Sequence, residues 1–146
     1  MARFNFRLQP LLNVKEQIEE QKEIEYALAI KRHEEEKRKL RLLFDFRVAQ
    51  IEEFRTSLKS EIDPAKTKRY NNVLERLKDR IKEQEVKVEA AAAFREKKRL
   101  ELIEAMQERK MLDNVKEKRF EDYLEDEKLA EKRQVDELVS YQYSSA

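Results

Sequence analysis

The sequence predicts an all-α protein: two long helices folded back on each other as an antiparallel coiled-coil hairpin with a C-terminal helical overhang. Three observations predict it. Two long stretches of Glu, Lys, Arg, Gln, Leu and Ala, all strong helix formers, contain no breaker. A single Ser/Asp/Pro cluster separates them. In the second stretch Tyr70, Leu74, Leu77, Ile81, Gln84, Val88 and Ala91 keep strict four-three spacing, the seam of a left-handed coiled coil. Composition agrees, since 45% of the 146 residues are charged and 40% hydrophobic, enough for each helix to bury one stripe and solvate the rest.

At the N-terminus Phe4, Phe6 and Leu8 alternate with polar residues, a pattern that fits either a helical extension or an extended arm. Helix 1 spans about 10 to 58, with Pro10 in the first turn, where its missing N–H has no intrahelical partner to lose. The turn covers about 59 to 63, with Ser60 and Asp63 as caps and Asp63-Pro64 as N-cap and first helical residue. Helix 2 runs from Pro64 to roughly Tyr141, and Tyr143 to Ala146 read as a frayed tail. At ~1.5 Å per residue the helices measure about 73 Å and about 117 Å, so they are unequal.

The helix 2 seam continues weakly through Arg95 and Lys98, recovers at Leu102 and Ala105, and slips toward Met106. In helix 1 the apolar frame is Leu11, Val14, Ile18, Leu28, Leu42, Phe46 and Ala49. Folding the chain at about residue 61 sets residue i opposite roughly 122 minus i. Ala27 and Ala29 then meet residues 90–93, also alanines, and the helices approach closely there. The polar stretch 32–39 faces 83–90, which predicts a weakly packed segment. Helix 1 ends opposite residue 118, and Phe120, Tyr123, Leu124, Val135, Leu138 and Val139 have no intramolecular partner. Such a stripe reads as a docking element for another protein or as a self-association surface.

Composition also bounds the chemistry. The chain contains no glycine, so it holds no phosphate-cradling loop or dinucleotide turn of the usual kind. It contains no cysteine, and its one histidine, His33, sits in a charged helical run that reads as a solvated face. The many Glu pairs lack the burial that would raise a carboxyl pKa. These features predict a protein that is not an enzyme and binds no metal or cofactor. No apolar run approaches the ~20 residues of a membrane span. The first six residues lack the apolar core of a secretory signal, which makes a cytoplasmic location the expectation. The 33 basic and 32 acidic residues are interleaved, and a basic stripe at Arg95, Lys97, Lys98 and Arg99 is diluted by Glu96 and Glu101. With no aromatic platform for bases, nucleic acid is not an expected partner.

The chain resembles the flagellar export protein FliJ family along its length. The likeness begins at Phe4-Asn5-Phe6-Arg7-Leu8-Gln9 and continues at Arg69-Tyr70-Asn71-Asn72 and Phe94-Arg95-Glu96-Lys97-Lys98. It ends in residues 123–128 and in Lys132-Arg133-Gln134-Val135-Asp136-Glu137-Leu138. The resemblance implies a non-enzymatic component of the flagellar type III export apparatus, a two-helix stalk similar to the central shaft of rotary ATPases. It implies that Phe4, Phe6, Leu8, Phe120, Tyr123, Leu124, Val135 and Leu138 contact the hexameric export ATPase ring. It places contacts to the membrane export gate protein at Val73, Leu77, Arg80 and Gln84, where Arg80 and Gln84 replace the family's small residue and histidine. Leu77 and Gln84 also lie in the seam, where a buried structural role competes; Val73 and Arg80 lie outside it. Empty substrate chaperones are further implied partners. The free chain is expected to be a monomer, held on the cytoplasmic side of the inner membrane through protein contacts alone. The competing reading is a homodimeric structural coiled coil, or the equivalent stalk of a virulence-type secretion system.

Overall fold

The structure, a computed structural model, describes residues 3–145. They form two α-helices, α1 (Gln9–Ser60) and α2 (Pro64–Ser145), and no strand among the described residues. The turn between them is shorter than expected, residues 61–63, because the Ser60 hydroxyl and the Glu61 N–H both bond the Ser57 carbonyl and carry α1 two residues further. Asp63 caps α2 as its position predicts: its Oδ1 accepts the Ala65 N–H at 3.0 Å, and Pro64 fills the first helical position. α2 continues to Ser145, past the expected end near Tyr141. The Ser144 and Ser145 hydroxyls bond the Tyr141 and Gln142 carbonyls at 3.0 and 3.2 Å and satisfy acceptors that a helix terminus leaves open. Met1, Ala2 and Ala146 lie outside the described residues.

Packing divides the chain into two compact units, Lys22–Leu102 and Met1–Gln21 with Ile103–Ala146. In the first, α1 and α2 pair antiparallel in the expected register. Phe54 meets Tyr70 with ring centroids 5.1 Å apart, Glu36 meets Gln84, Glu25 meets Lys98 and Lys22 meets Glu101. The α2 seam is the expected one, with Leu77, Ile81, Gln84 and Ala91 buried and Tyr70, Leu74 and Val88 half-buried. It does not weaken at Arg95 and Lys98. Both stay half-buried in the same frame because their long stems lie along the seam while their charged ends pair with Glu34 and Glu25. Burial, with the Glu53 carboxylate adding to it, pushes the Tyr70 phenol above its ordinary range.

The α1 frame differs from expectation by one residue. In this unit its inward positions are Lys22, Tyr26, Ala29, His33, Glu36, Leu40 and Leu43, at three-four spacing, whereas Leu28, Leu42, Phe46 and Ala49 are exposed. His33 is therefore half-buried rather than solvated, its Nδ1 accepting from Arg95 Nη1 at 3.3 Å. Ala29 and Ala91 are buried while Ala27 is exposed, so close approach of small residues involves fewer alanines than the sequence suggests. Beside the polar segment lies an open groove of about 400 Å³ lined by Arg32, Glu36, Lys87, Ala90, Ala91 and Phe94, while Gln84 and Ala91 opposite it are buried.

These contacts give the unit a pH dependence of definite sign. The Gln84 amide holds the Glu36 carboxyl below the usual range, and Lys98, with Lys22, does the same to Glu101. A depressed folded-state pKa contributes stability above the unfolded value and loses it as pH falls through the folded one. The urea midpoint, followed by far-UV circular dichroism, should therefore stay level from neutrality to about pH 5 and decline below about 4.5. A midpoint that rises on acidification would contradict the assignment.

In the second unit α1 contributes Leu12, Lys15 and Glu19, and α2 contributes Ala105, Arg109 and Leu112. Lys15 pairs with Glu108 at 2.8 Å, and Arg109 bridges Glu19 and Asp113. The frame thus continues past Ala105 without slipping to Met106, which is exposed. Leu11, Val14 and Ile18 face away from α2 and are exposed.

Candidate protein-docking surface

In this second unit the N-terminal residues form an arm rather than more helix. Pro10 explains why. A helix continuing toward the N-terminus would need the Pro10 N–H on the Phe6 carbonyl; proline has none, and its ring would clash there. The Phe6 carbonyl instead accepts the Gln9 N–H at 3.0 Å, and Leu12 N donates to Leu8 at 2.9 Å, so the arm runs straight into α1. Its side chains alternate: Arg3, Asn5 and Arg7 are exposed, Phe4 and Leu8 are half-buried, and Phe6 is 4% exposed.

Phe4 packs edge-on against Phe120, with centroids 5.1 Å apart and planes at 68°, and lies 5.6 Å from Tyr123. Phe120 and Tyr123 stack at 6.3 Å. Contrary to the sequence expectation, then, Phe120 and Tyr123 do have an intramolecular partner. An extended segment gains ~3.3 Å per residue against ~1.5 Å in a helix, so residues 3–6, ahead of the turn at 7–8, reach further along α2 than counting helical turns allows. Burial, reinforced by the Glu127 carboxylate, pushes the Tyr123 phenol up.

Beyond Glu127 every described residue is exposed. Leu124, Val135 and Leu138 continue the face of Phe120 by helical spacing, and Val135 and Leu138 are 56% and 64% exposed. Glu127 and Glu131 interrupt this stripe, leaving one apolar patch at its base and another near residues 135–139. The eight residues implicated with a ring therefore fall into two sets. Phe4, Phe6, Leu8, Phe120 and Tyr123 fasten the arm, while Leu124, Val135 and Leu138 present an uncovered face.

The four gate candidates lie in the other unit and also divide. Leu77 is 3% exposed, and Gln84 is buried with its amide donating to the Glu36 carbonyl at 3.0 Å and to the Glu36 carboxylate. Their role here is in the seam, because a partner cannot read side chains that the paired helix covers. Val73 is half-buried and Arg80 exposed. No acid–base chemistry suggests itself: Glu34, Glu36, Glu96 and Glu101 are all shifted down, the wrong direction for a general acid at neutral pH. The charged inner positions Lys15, Glu19, Lys22 and Glu36 escaped a search for apolar spacing; the first three meet opposite charges on α2 that are visible in the sequence, and Glu36 meets the neutral Gln84 amide.

The described residues thus form paired antiparallel helices, an aromatic-pinned arm and a bare terminal stretch of helix. Comparison with family models matches residues 4–146 to the flagellar FliJ protein. The chain belongs to the FliJ family, and is accordingly a stalk-type component of type III protein export, a class of structural proteins rather than enzymes. Among solved structures, one of a protein described as a YscO homologue from Chlamydia trachomatis is similar, with a TM-score of 0.71 and 20% identity. The likeness covers 97% of this chain and 96% of that one, and it concerns the fold. Comparison with proteins of curated function found no match. Among the described residues no helix is long and apolar enough to cross a membrane.

Proposed function

We propose that this chain is the stalk of the flagellar export ATPase, promoting the hexameric ring and linking it to the membrane export gate protein. The observation that carries the reading is the end of α2, where eighteen residues from Lys128 onward are exposed and bear Val135 and Leu138 uncovered. An amphipathic helix of this kind gains most of its stability from what packs on its apolar face, and no described residue of its own unit covers this one. The aromatic cluster at its base fastens arm and helix together, so both chain ends present to the ring as one element. At the gate, the exposed Arg80 and half-buried Val73 make the contact, with Leu77 and Gln84 holding that segment of α2 in place. Empty substrate chaperones are a further partner, and the protein works at the cytoplasmic side of the inner membrane.

Adding the full chain to the cognate export ATPase should raise its ATP hydrolysis and shift it toward hexamers in sedimentation. No change in either, or a stable homodimer of this chain that excludes the ATPase, would remove the reading in favour of a self-associating coiled coil.

A further inference from the structure

The turn joining α1 to α2 carries a cationic patch around an exposed apolar side chain, and the docking role above uses none of it. Ile62 is 77% exposed, and Leu58, in the last turn of α1, is exposed too. Around them Arg55, Lys59, Lys66, Lys68 and Arg69 are all exposed. Among the described residues none of these five cations forms an ion pair; the nearest pairs on either side of the turn involve Lys39 and Arg95. Against these five cations, residues 55–69 hold only two carboxylates, Glu61 and Asp63, and the latter is occupied in capping α2. The segment is therefore clearly cationic within a chain whose net charge is only +1. Beside the turn, Ser57, Lys66, Arg69 and Tyr70 line a groove of about 260 Å³, which offers hydrogen-bond donors to an anion.

We propose that this turn binds the surface of a membrane containing anionic lipid, with Ile62 entering the interface and Lys59, Lys66, Lys68 and Arg69 meeting lipid phosphates. A single protruding aliphatic side chain ringed by unpaired cations suits an interface that is apolar a few ångströms below a sheet of negative charge. A protein partner would be met by a packed apolar patch with exposed aromatic anchors, whereas the aromatics nearest the turn, Phe54 and Tyr70, are half-buried against each other. Lysine stems also deliver charge without fixed geometry, as a fluid array of headgroups requires. The proposal goes beyond the stalk reading and does not depend on it.

The test is sedimentation of the full chain with vesicles of phosphatidylcholine alone and of phosphatidylcholine with about one third phosphatidylglycerol. The chain should bind only the anionic vesicles, and the bound fraction should fall as salt is raised. Changing Lys59, Lys66 and Lys68 together to Gln should lower partitioning roughly 100-fold, and Ile62→Ser roughly 10-fold. All four positions are exposed, so circular dichroism should show unchanged helicity. Equal binding to neutral vesicles, no binding to anionic ones, or variants that bind like the parent would each overturn the proposal. So would retention on polyglutamate beads without vesicle binding, which indicates an acidic protein partner. Loss of vesicle binding to millimolar inorganic phosphate would also overturn it, since the groove would then be a small-anion site.

Discussion

Changing Leu124, Val135 and Leu138 together to Ala is expected to weaken activation of the export ATPase about 100-fold in the concentration of chain required, at unchanged stability. All three side chains are exposed, so their loss should alter the unfolding free energy by no more than about 0.5 kcal/mol. At an interface, three apolar anchors worth about 1 kcal/mol each multiply to a factor of roughly 100 in affinity. A second variant separates contact from positioning. Phe4→Ala removes the ring that lies against both Phe120 and Tyr123 and should free the arm while leaving the α2 stripe intact. If the stripe alone carries the contact, Phe4→Ala activates almost normally. If arm and helix act as one element, it is impaired in proportion to the loosened arm, measurable as faster amide exchange of residues 3–8. A triple variant that activates like the parent would show that the ring does not bind the stripe.

Much of the fold was legible in the sequence because it depends on local rules. The helices, the Asp63-Pro64 cap, the antiparallel register and the α2 seam from Tyr70 to Ala91 all follow from helix formers, one break and a four-three pattern. The α1 frame was misread because apolar spacing is a one-helix signal, whereas α1 faces α2 with residues chosen for their partners. Lys15, Glu19 and Lys22 are polar, yet each lies opposite a charge of the other sign, Glu108, Arg109 or Glu101. Comparing charges at i and about 122 minus i finds the partners of Lys15 and Lys22, whereas Glu19 reaches Arg109 six residues further along α2 than that rule places its partner. The placement of the candidate contact residues was half legible. Leu124, Val135 and Leu138 are where the stripe predicts, but the partnership of Phe4 with Phe120 and Tyr123 depended on whether residues before Pro10 are helical or extended. Alternation at Phe4, Phe6 and Leu8 is compatible with both, and only the missing Pro10 N–H decides it.

The ionic seam makes the second large prediction, because Glu19 and Arg109 hold a position where apolar residues would pack better. Glu19 is nearly covered and relies on Arg109, so Arg109→Leu alone should lower the urea midpoint by leaving a carboxylate unpaired beneath the paired helix. Changing both Glu19 and Arg109 to Leu should instead raise the urea midpoint above the parent's, since two charges at the helix contact give way to packed side chains. Asp113, the other partner of Arg109, is exposed enough to return to water without comparable cost. What the pair supplies is frame. Leu11, Val14 and Ile18 form a second stripe one residue away from Leu12, Lys15 and Glu19, and rotating α1 to bury it would set apolar side chains against Arg109 and Glu108. With the charges removed that rotation is no longer opposed, so the double variant should gain stability and lose uniqueness. The measurable sign is a higher urea midpoint accompanied by faster amide exchange near Leu12 or by concentration-dependent dimers. A double variant less stable than Arg109→Leu alone would mean that the ion pair stabilises the helix pair outright, and that its role in selecting the frame is secondary.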